Sequence, residues 1–291
     1  MNELIWNPTI FALGQTQFNE EQFEQWITFN GFNNAEMIAP ENNTPLGRLW
    51  ADVSDEYAIE RMIEFGGRHC YRAWEKGRDR AEYIANILDM EHGSVLEHST
   101  INWAVQGVSR SLSLELARHR VGIALSQESQ RYVDASDVQF VVPPIVSYLA
   151  GGEMLGNNNC DVITDFYRDN ILALDKYKRL QALIVDQVKA KNPAIKSLTM
   201  IKKRANEAAR AHLPNCTETR FLWTTNMRLL RHFLWLRGGA GADLEIRKLA
   251  VALLDTAHEY APAVFADMTT KHLGEDTYGV PIIVATPDGM K

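Results

Sequence analysis

The chain has 291 residues, of which 46% are hydrophobic, 9% aromatic and 23% charged, a balance typical of folded proteins with a large core. Thirty Lys and Arg residues against 37 Asp and Glu residues give a formal charge of −7, which disfavours nucleic-acid polymers and anionic membranes as partners. An anionic ligand would therefore be small and held by a local cluster of arginines.

The three cysteines, Cys70, Cys160 and Cys216, are far apart and lack the paired spacing of zinc sites or disulfide frameworks. No signal peptide is evident at the N-terminus, and no apolar run is long enough to span a bilayer. These features predict a reduced, cytoplasmic protein without a membrane partner.

Composition changes divide the chain into three parts. Residues 1–50 mix aromatic side chains with Asn, Pro and Gly, which predicts an N-terminal elaboration with a short helix near 19–28. A single domain with elaborations is predicted over 51–275, followed by a C-terminal tail at 276–291.

The domain begins with a helix predicted from Asp55 toward Cys70, with Ser54 as its N-cap, although Gly66-Gly67 weakens this prediction. Alternation from Ile101 to Val105 predicts a strand, and the short helix 109–117 follows it. Further strands are predicted at 138–142 and around Phe221 and Trp223, a loop at 151–159, and helices near 83–90, 161–190, 195–212, 226–236 and 244–264. Helices around a modest sheet indicate the α+β class.

A cluster of arginines follows the helix 109–117. Arg118, His119, Arg120 and Arg131 lie within fourteen positions, and the apolar run 121–125 predicts that this segment packs against a core. Guanidinium groups bind phosphate with paired hydrogen bonds and keep their charge at neutral pH, so the cluster predicts a phosphorylated ligand. The alternative is a solvated basic turn.

Other polar clusters are less specific. Arg237 ends a helix that begins near Asn226, and it could either bind a ligand or interact with the helix C-terminus. The pairs Glu91-His92 and Glu97-His98 lack the helical spacing of a zinc site, and therefore we expect no metal. No Walker loop and no GxGxxG motif follows a predicted strand.

Together these segments resemble the flavin-dependent thymidylate synthase family, from about Arg68 to Ala257. The resemblance rests on Arg-His-Arg…Ser-Gln-Arg-Tyr at 118–132, on Ser-Val-Leu-Glu-His at 94–98, and on Thr-Asn…Arg…Glu-Ile-Arg at 225–247. It implies synthesis of dTMP from dUMP, with carbon from methylenetetrahydrofolate and hydride from FAD reduced by NADPH. It also implies a helix-flanked mixed or antiparallel β-sheet and a homotetramer with active sites shared between subunits.

The resemblance assigns roles to individual positions. Flavin contacts, with folate beside them, fall on His98, Thr100, Arg118, His119, Arg120, Asn226 and His232. The dUMP ligands fall on Glu115, Gln127, Glu128, Ser129, Gln130, Arg131, Arg210 and Arg237. Among these, Arg237 and Ser129 are the expected catalytic residues, and Arg237 would stabilise negative charge on the pyrimidine.

Three positions depart from the family pattern. Eight residues rather than seven separate Arg120 from Ser129, which predicts a one-residue bulge within 121–125. Gly241 stands where many relatives carry a histidine. Glu115 occupies a position where glutamine is frequent.

Two other functions are consistent with the sequence. One is a folate-dependent pyrimidine methyltransferase with Cys216 as its nucleophile, although nothing near Cys216 would obviously lower its pKa. The other is a flavin- or nucleotide-binding regulator without catalysis, which the extra residue and Gly241 suggest.

Overall fold

A computed structural model describes residues 4–32, 35–39, 43–52, 57–75, 77–151, 161–192, 194, 197–274 and 278–285. The helices are α1 (Glu20–Phe29), α2 (Ala35–Ile38), α3 (Pro45–Ala51), α4 (Ala58–Tyr71), α5 (Arg80–Asp89), α6 (Arg110–Leu116), α7 (Pro144–Leu149), α8 (Asp161–Lys191), α9 (Leu198–Ala209), α10 (Met227–Gly238), α11 (Leu244–Tyr260) and α12 (Pro262–Phe265). The strands are β1 (Leu4–Ile5), β2 (Thr9–Gln15), β3 (Thr100–Ser109), β4 (Ile123–Gln127), β5 (Phe140–Val141), β6 (Glu218–Asn226), β7 (Met268–Lys271) and β8 (Ile282–Ala285).

The main sheet has four antiparallel strands in the order β2-β3-β6-β4. Alternation in β3 and β6 places Trp103 opposite Trp223, both fully buried, because successive side chains of a strand point to opposite faces. Helices α4, α5, α10 and α11 contribute side chains to the same core. This arrangement confirms the predicted α+β class with an antiparallel sheet.

The N-terminal residues add to this sheet. The predicted short helix is confirmed as α1, which begins after the N-cap Asn19. Strand β2, which the sequence did not predict, pairs with β3 at the edge of the sheet. Arg61 of α4 is buried and donates from Nη2 to Glu20 Oε2 over 2.8 Å, with its guanidinium 4.2 Å from the ring of Phe18. These contacts anchor the segment against α4.

Several element boundaries differ from those predicted. Helix α4 continues through Gly66 and Gly67. A Cβ at Gly67 would lie 2.5 Å from the Tyr83 hydroxyl, so glycine at this position allows α4 to pack closely against α5. The predicted last helix is divided between α11 and α12, since Pro262 begins a new helix. Ser54 and residues 152–159 of the predicted loop lie outside the described residues.

The C-terminal segment packs against the end of α10. Strand β8 pairs with β7, and Ile283 of β8 is buried against Gly238. A Cβ at Gly238 would lie 2.5 Å from Ile283 Cδ1 and 2.7 Å from its Cβ. The absence of a side chain at Gly238 therefore allows β8 to lie directly on the helix that carries Arg237.

We expect Gly238→Ala to lower the free energy of unfolding by about 1–3 kcal/mol, because the added methyl overpacks the contact with Ile283. Urea denaturation measures this change. Gly241→Ala is the matched control, since nothing lies within 4 Å of a Cβ there. The interpretation is wrong if Gly238→Ala costs as much in an Ile283→Gly background, where the whole clashing side chain, Cβ included, is removed.

Candidate active site

Arg237, in the last turn of α10, joins two residues that are distant in the sequence. Its Nε donates a hydrogen bond to His119 Nε2 over 3.1 Å, and its Nη1 donates to Glu115 Oε2 over 3.1 Å. The two partners precede it by 118 and 122 residues. The guanidinium therefore contacts side chains from the α6 region, and its role is not limited to an interaction with the C-terminus of its own helix.

His119 is held as the neutral imidazole. Its Nε2 accepts a hydrogen bond from Arg237, so the ring proton must lie on Nδ1. Burial lowers the pKa of His119, and the positive charges of Arg237 and His232 lower it further. The ring of Phe233 packs edge-to-face on the imidazole with centroids 5.2 Å apart. Arg237 and the aromatic contact thus fix both the orientation and the protonation state of His119.

The residues on either side of His119 point in another direction. Arg118 and Arg120 are exposed, whereas His119 is only 9% exposed. Neither arginine forms an ion pair with any residue in the described part of the chain. Both are therefore available to an anionic ligand, although the turn is solvated as the alternative interpretation expected.

The segment between Arg120 and Ser129 contains a turn followed by strand β4. Ile123 to Gln127 form β4, which pairs with β6 in one continuous register, and Ile123 packs against the core. The preceding Gly122 has φ of +76°, a conformation that glycine adopts readily. Strand β4 thus has no bulge, and within the predicted range 121–125 the bulge stays a prediction for residues 121 and 122 alone.

A second polar group gathers at the N-terminus of α6. Arg110 donates from Nη1 to Thr219 Oγ1 over 3.3 Å and to the carbonyl of Glu128 over 3.5 Å. Gln127 donates to the same Thr219 hydroxyl over 3.0 Å. Burial lowers the pKa of Arg110, and the nearby charge of Arg210 lowers it further. Two cations close enough to affect each other are suited to binding a small anion.

Arg110 was not predicted from the sequence. Its only sequence signal is its place at the start of the predicted helix 109–117, which does not reveal that it faces Arg210. Ser109 caps α6, accepting from Leu112 N over 3.0 Å, and its own N and Oγ donate to Glu245 of α11 over 2.8 and 2.6 Å. These contacts hold the position of Arg110.

The turn after β4 carries three more predicted residues. Ser129 is partly buried, and its Oγ accepts from the backbone N of Arg131 over 3.4 Å. The Arg131 side chain is exposed and lies 3.9 Å from Glu207 of α9, while its carbonyl accepts from Asn206. Gln130 is partly buried in the same turn. Helix α9 thus supports the turn, and the hydroxyl hydrogen of Ser129 remains free to donate.

The two polar groups lie at opposite ends of α6. Arg110 is its first residue and Glu115 its last but one, so about 8 Å of helix separates them along the axis. One group presents Arg237 with Glu115, and the other presents Arg110 with Arg210. A ligand with a polar ring at one end and an anion at the other matches this spacing.

Two of the positions predicted for the flavin, Thr100 and Asn226, lie at the ends of β3 and β6. Thr100 and Asn226 are directly paired across these strands. Thr100 N donates to Thr16 Oγ1 over 2.8 Å, and Asn226 Oδ1 caps α10 by accepting from Leu229 N over 2.8 Å. A Cβ at Gly122 would lie 2.6 Å from Asn226 Nδ2, so the turn approaches this amide closely. Asn226 is thereby shared between α10 and the turn that follows Arg120.

Of the three predicted flavin-side histidines, His98 and His232 are exposed. His98 ends a short 3₁₀ segment, Gly93–His98, and its ring lies against Gly66, where a Cβ would be 3.1 Å from its Cδ2. His232 lies on α10, close enough for its charge to affect His119. Within the described ranges, no three His, Cys, Asp or Glu side chains are grouped so as to hold a metal ion.

Cys216 is not placed to act as a nucleophile. Its thiol donates to Asn170 Oδ1 over 3.0 Å, among apolar side chains of a separate core cluster around α8. Burial raises the pKa of Cys216 to about 11, so the reactive thiolate is scarce at neutral pH. The geometry disfavours the cysteine-nucleophile alternative.

Comparison with known proteins identifies relatives of this chain. Residues 53–263 match the family model described as thymidylate synthase complementing protein. The chain is 40% identical over 220 residues to a flavin-dependent thymidylate synthase of Mycobacterium sp. strain KMS, covering 74% of this chain and 82% of the relative. It is 39% identical over 242 residues to another from Mycolicibacterium vanbaalenii, covering 81% and 90%.

A solved structure shares the fold. The UMP/dUMP methylase PolB from Streptomyces cacaoi, bound with 5-Br UMP, aligns with a TM-score of 0.57 at 19% identity, covering 91% of this chain and 96% of PolB. At this identity the likeness concerns the fold alone.

We expect NMR titration of the imidazole protons to give a pKa for His119 below the usual value for histidine, because the ring is buried beside Arg237. Arg237→Gln removes one of the charges that lower this pKa and should raise it. The exposed Arg179→Gln on α8 serves as control and should leave it unchanged. An unchanged pKa in Arg237→Gln would show that the contact does not form in solution.

Proposed function

This chain belongs to the family of thymidylate synthase complementing proteins, the flavin-dependent thymidylate synthases, and we propose that it converts dUMP to dTMP. The carbon comes from methylenetetrahydrofolate and the reducing equivalents from NADPH by way of FAD. The observation that carries the proposal is the convergence of Arg237, Glu115 and His119 beside the exposed Arg118 and Arg120.

The two polar groups fit the two ends of dUMP. The Glu115 carboxylate accepts the uracil N3 proton, and the Arg237 guanidinium binds a ring carbonyl oxygen. As the C5 position reacts, negative charge grows on the ring oxygens, and the fixed positive charge of Arg237 stabilises it. At the other end, the phosphate is bound by Arg110, Arg210 and Arg131.

Side chains at the end of β4 complete the nucleotide site. Ser129 donates its free hydroxyl hydrogen to the phosphate, which orients dUMP along α6 and gives this residue its part in catalysis. The partly buried Gln127 and Gln130 and the exposed Glu128 lie beside the nucleotide and contact it through side chain or backbone.

The described residues fit a flavin dinucleotide. The exposed, unpaired guanidiniums of Arg118 and Arg120 suit its pyrophosphate. Gly66 and Gly122 allow the backbone to approach His98 and Asn226 closely, which positions these two side chains at the flavin side of the site. The remaining contacts fall on Thr100, His119 and His232. When bound, FAD supplies the redox chemistry that no protein side chain provides.

A second copy of the chain completes the site in this proposal. Several of the predicted ligand side chains are exposed on one chain, including Arg118, Arg120, Arg131 and Arg210. The outer face of the main sheet also exposes Phe11 and Leu13, at 51% and 67%. A homotetramer with shared active sites would cover such surfaces.

The protein would act in the cytoplasm. No helix in the described part of the chain is long and apolar enough to cross a membrane.

Purified protein should be yellow, and dTMP should form when dUMP, NADPH and methylenetetrahydrofolate are supplied together. Chromatography of the nucleotides measures this product. A yellow protein that oxidises NADPH in the presence of dUMP without forming dTMP would favour the non-catalytic regulator. A colourless preparation that does not bind FAD would contradict both.

We expect Arg237→Gln to lower kcat/KM for dUMP by about 10²- to 10³-fold, because it removes the charge that stabilises the reacting ring. The control is Cys216→Ser, which should retain activity, since that thiol is protonated and lies in a separate apolar cluster. Loss of turnover in Cys216→Ser with FAD still bound would instead support a cysteine nucleophile.

Arg110→Gln should raise KM for dUMP about tenfold with a smaller effect on kcat, because it removes one cation from the phosphate end. Steady-state kinetics at varied dUMP measures both constants. Arg179→Gln on the exposed face of α8 is again the control. A lower kcat at unchanged KM would place Arg110 away from the phosphate.

A further inference from the structure

A cavity of about 320 Å³ lies where the N-terminal segment meets the C-terminal end of α4. Its aromatic wall is formed by Trp26, Phe32, Trp74 and His69, and its polar edge by Arg72 and Glu75. Trp26 and Phe32 precede residue 53, where the family match begins. This cavity is therefore built in part by residues outside the segment shared with the family.

The aromatic wall is suited to a flat ring. Trp26 packs edge-to-face on Trp74 with centroids 5.2 Å apart and lies 5.5 Å from Phe32. His69 stacks on Phe65 at 5.7 Å, which fixes its ring at the same wall. Aromatic side chains held by each other in this way offer a preformed surface on which a planar ligand can stack.

The polar edge carries two opposite charges that do not neutralise each other. Arg72 and Glu75 are both exposed, and neither side chain forms an ion pair or hydrogen bond with another described residue. Arg72 also has φ of +50°, a left-handed conformation that is uncommon for arginine, and it is the residue at which α4 ends. The cavity thus offers a cation and an acceptor beside an aromatic surface.

The cavity is close to the folate side of the proposed active site. The ring of His98 lies against Gly66 of α4, and His69, which lines the cavity, follows three residues later on the same helix. Three residues of helix advance by about 4.5 Å. A ligand held at His98 can therefore extend along α4 into the aromatic cavity.

We propose that this cavity binds the p-aminobenzoyl-glutamate tail of methylenetetrahydrofolate, an inference that rests on the proposed function. The benzoyl ring stacks on Trp26, Glu75 accepts the amide N–H of the tail, and Arg72 binds a glutamate carboxylate. The matching chemistry is an aromatic ring that carries an amide N–H donor and a carboxylate, which a separate aromatic acid could also supply.

Calorimetric titration of the flavin-loaded, dUMP-saturated enzyme tests the proposal. Two ligands are compared: tetrahydrofolate, and 6-methyltetrahydropterin, which lacks the tail. Arg72→Gln should weaken tetrahydrofolate binding about tenfold and leave the pterin unaffected, since one charge-assisted hydrogen bond is lost. Arg72→Lys should restore most of the affinity, and the control Arg179→Gln should change neither ligand.

Three results would overturn the proposal. Equal weakening of both ligands, or no change for tetrahydrofolate, would show that Arg72 does not contact the tail. Arg72-dependent binding of p-aminobenzoylglutamate that does not compete with tetrahydrofolate would assign the cavity to a separate aromatic acid. Because the readout is binding, failure of the wild-type enzyme to make dTMP would contradict the proposed function without affecting this result.

Discussion

The candidate site depends on one guanidinium, that of Arg237, which is shared between Glu115 and His119. The side chains of Arg237 and Glu115 are 22% and 33% exposed, so their attraction is stronger than that of fully solvated ions. The Arg237 guanidinium partly compensates the negative charge of Glu115 and keeps His119 neutral. Both effects require α10 and α6 to keep fixed positions relative to each other. Gly238 against Ile283, and Ser109 on Glu245, supply that rigidity from elements with no part in the chemistry.

Local patterns were sufficient to predict much of the fold. The alternation around Trp103 acts within a few residues, and the strand that it predicts is confirmed, as are the short helices predicted near 19–28 and at 109–117. Strand β2 was missed because its pairing with β3 joins residues distant in the sequence, such as Thr9 and Gln106, which are 97 positions apart. The resemblance assigned roles to Arg237 and to the residues that contact it. The proximity of Arg110 to Arg210 was not predicted, because it depends on tertiary packing and not on spacing in the sequence.

The N-terminal segment contributes more than a covering for the domain. Its β2 forms an edge of the main sheet, and Glu20 forms an ion pair with the buried Arg61. The same segment places Trp26 beside Trp74 at the end of α4, the helix whose Gly66 supports His98. Stability of the fold and the shape of the surface beside His98 are thus linked through one helix.

The most direct test of the central claim is a double-substitution cycle on dUMP binding. Dissociation constants are measured for the parent protein, Glu115→Gln, Arg237→Gln and the double variant. Because the two side chains contact each other and the same ring, the account predicts a coupling energy of about 0.5–3 kcal/mol. Effects that add to within about 0.3 kcal/mol would show that the two residues act independently and would contradict it.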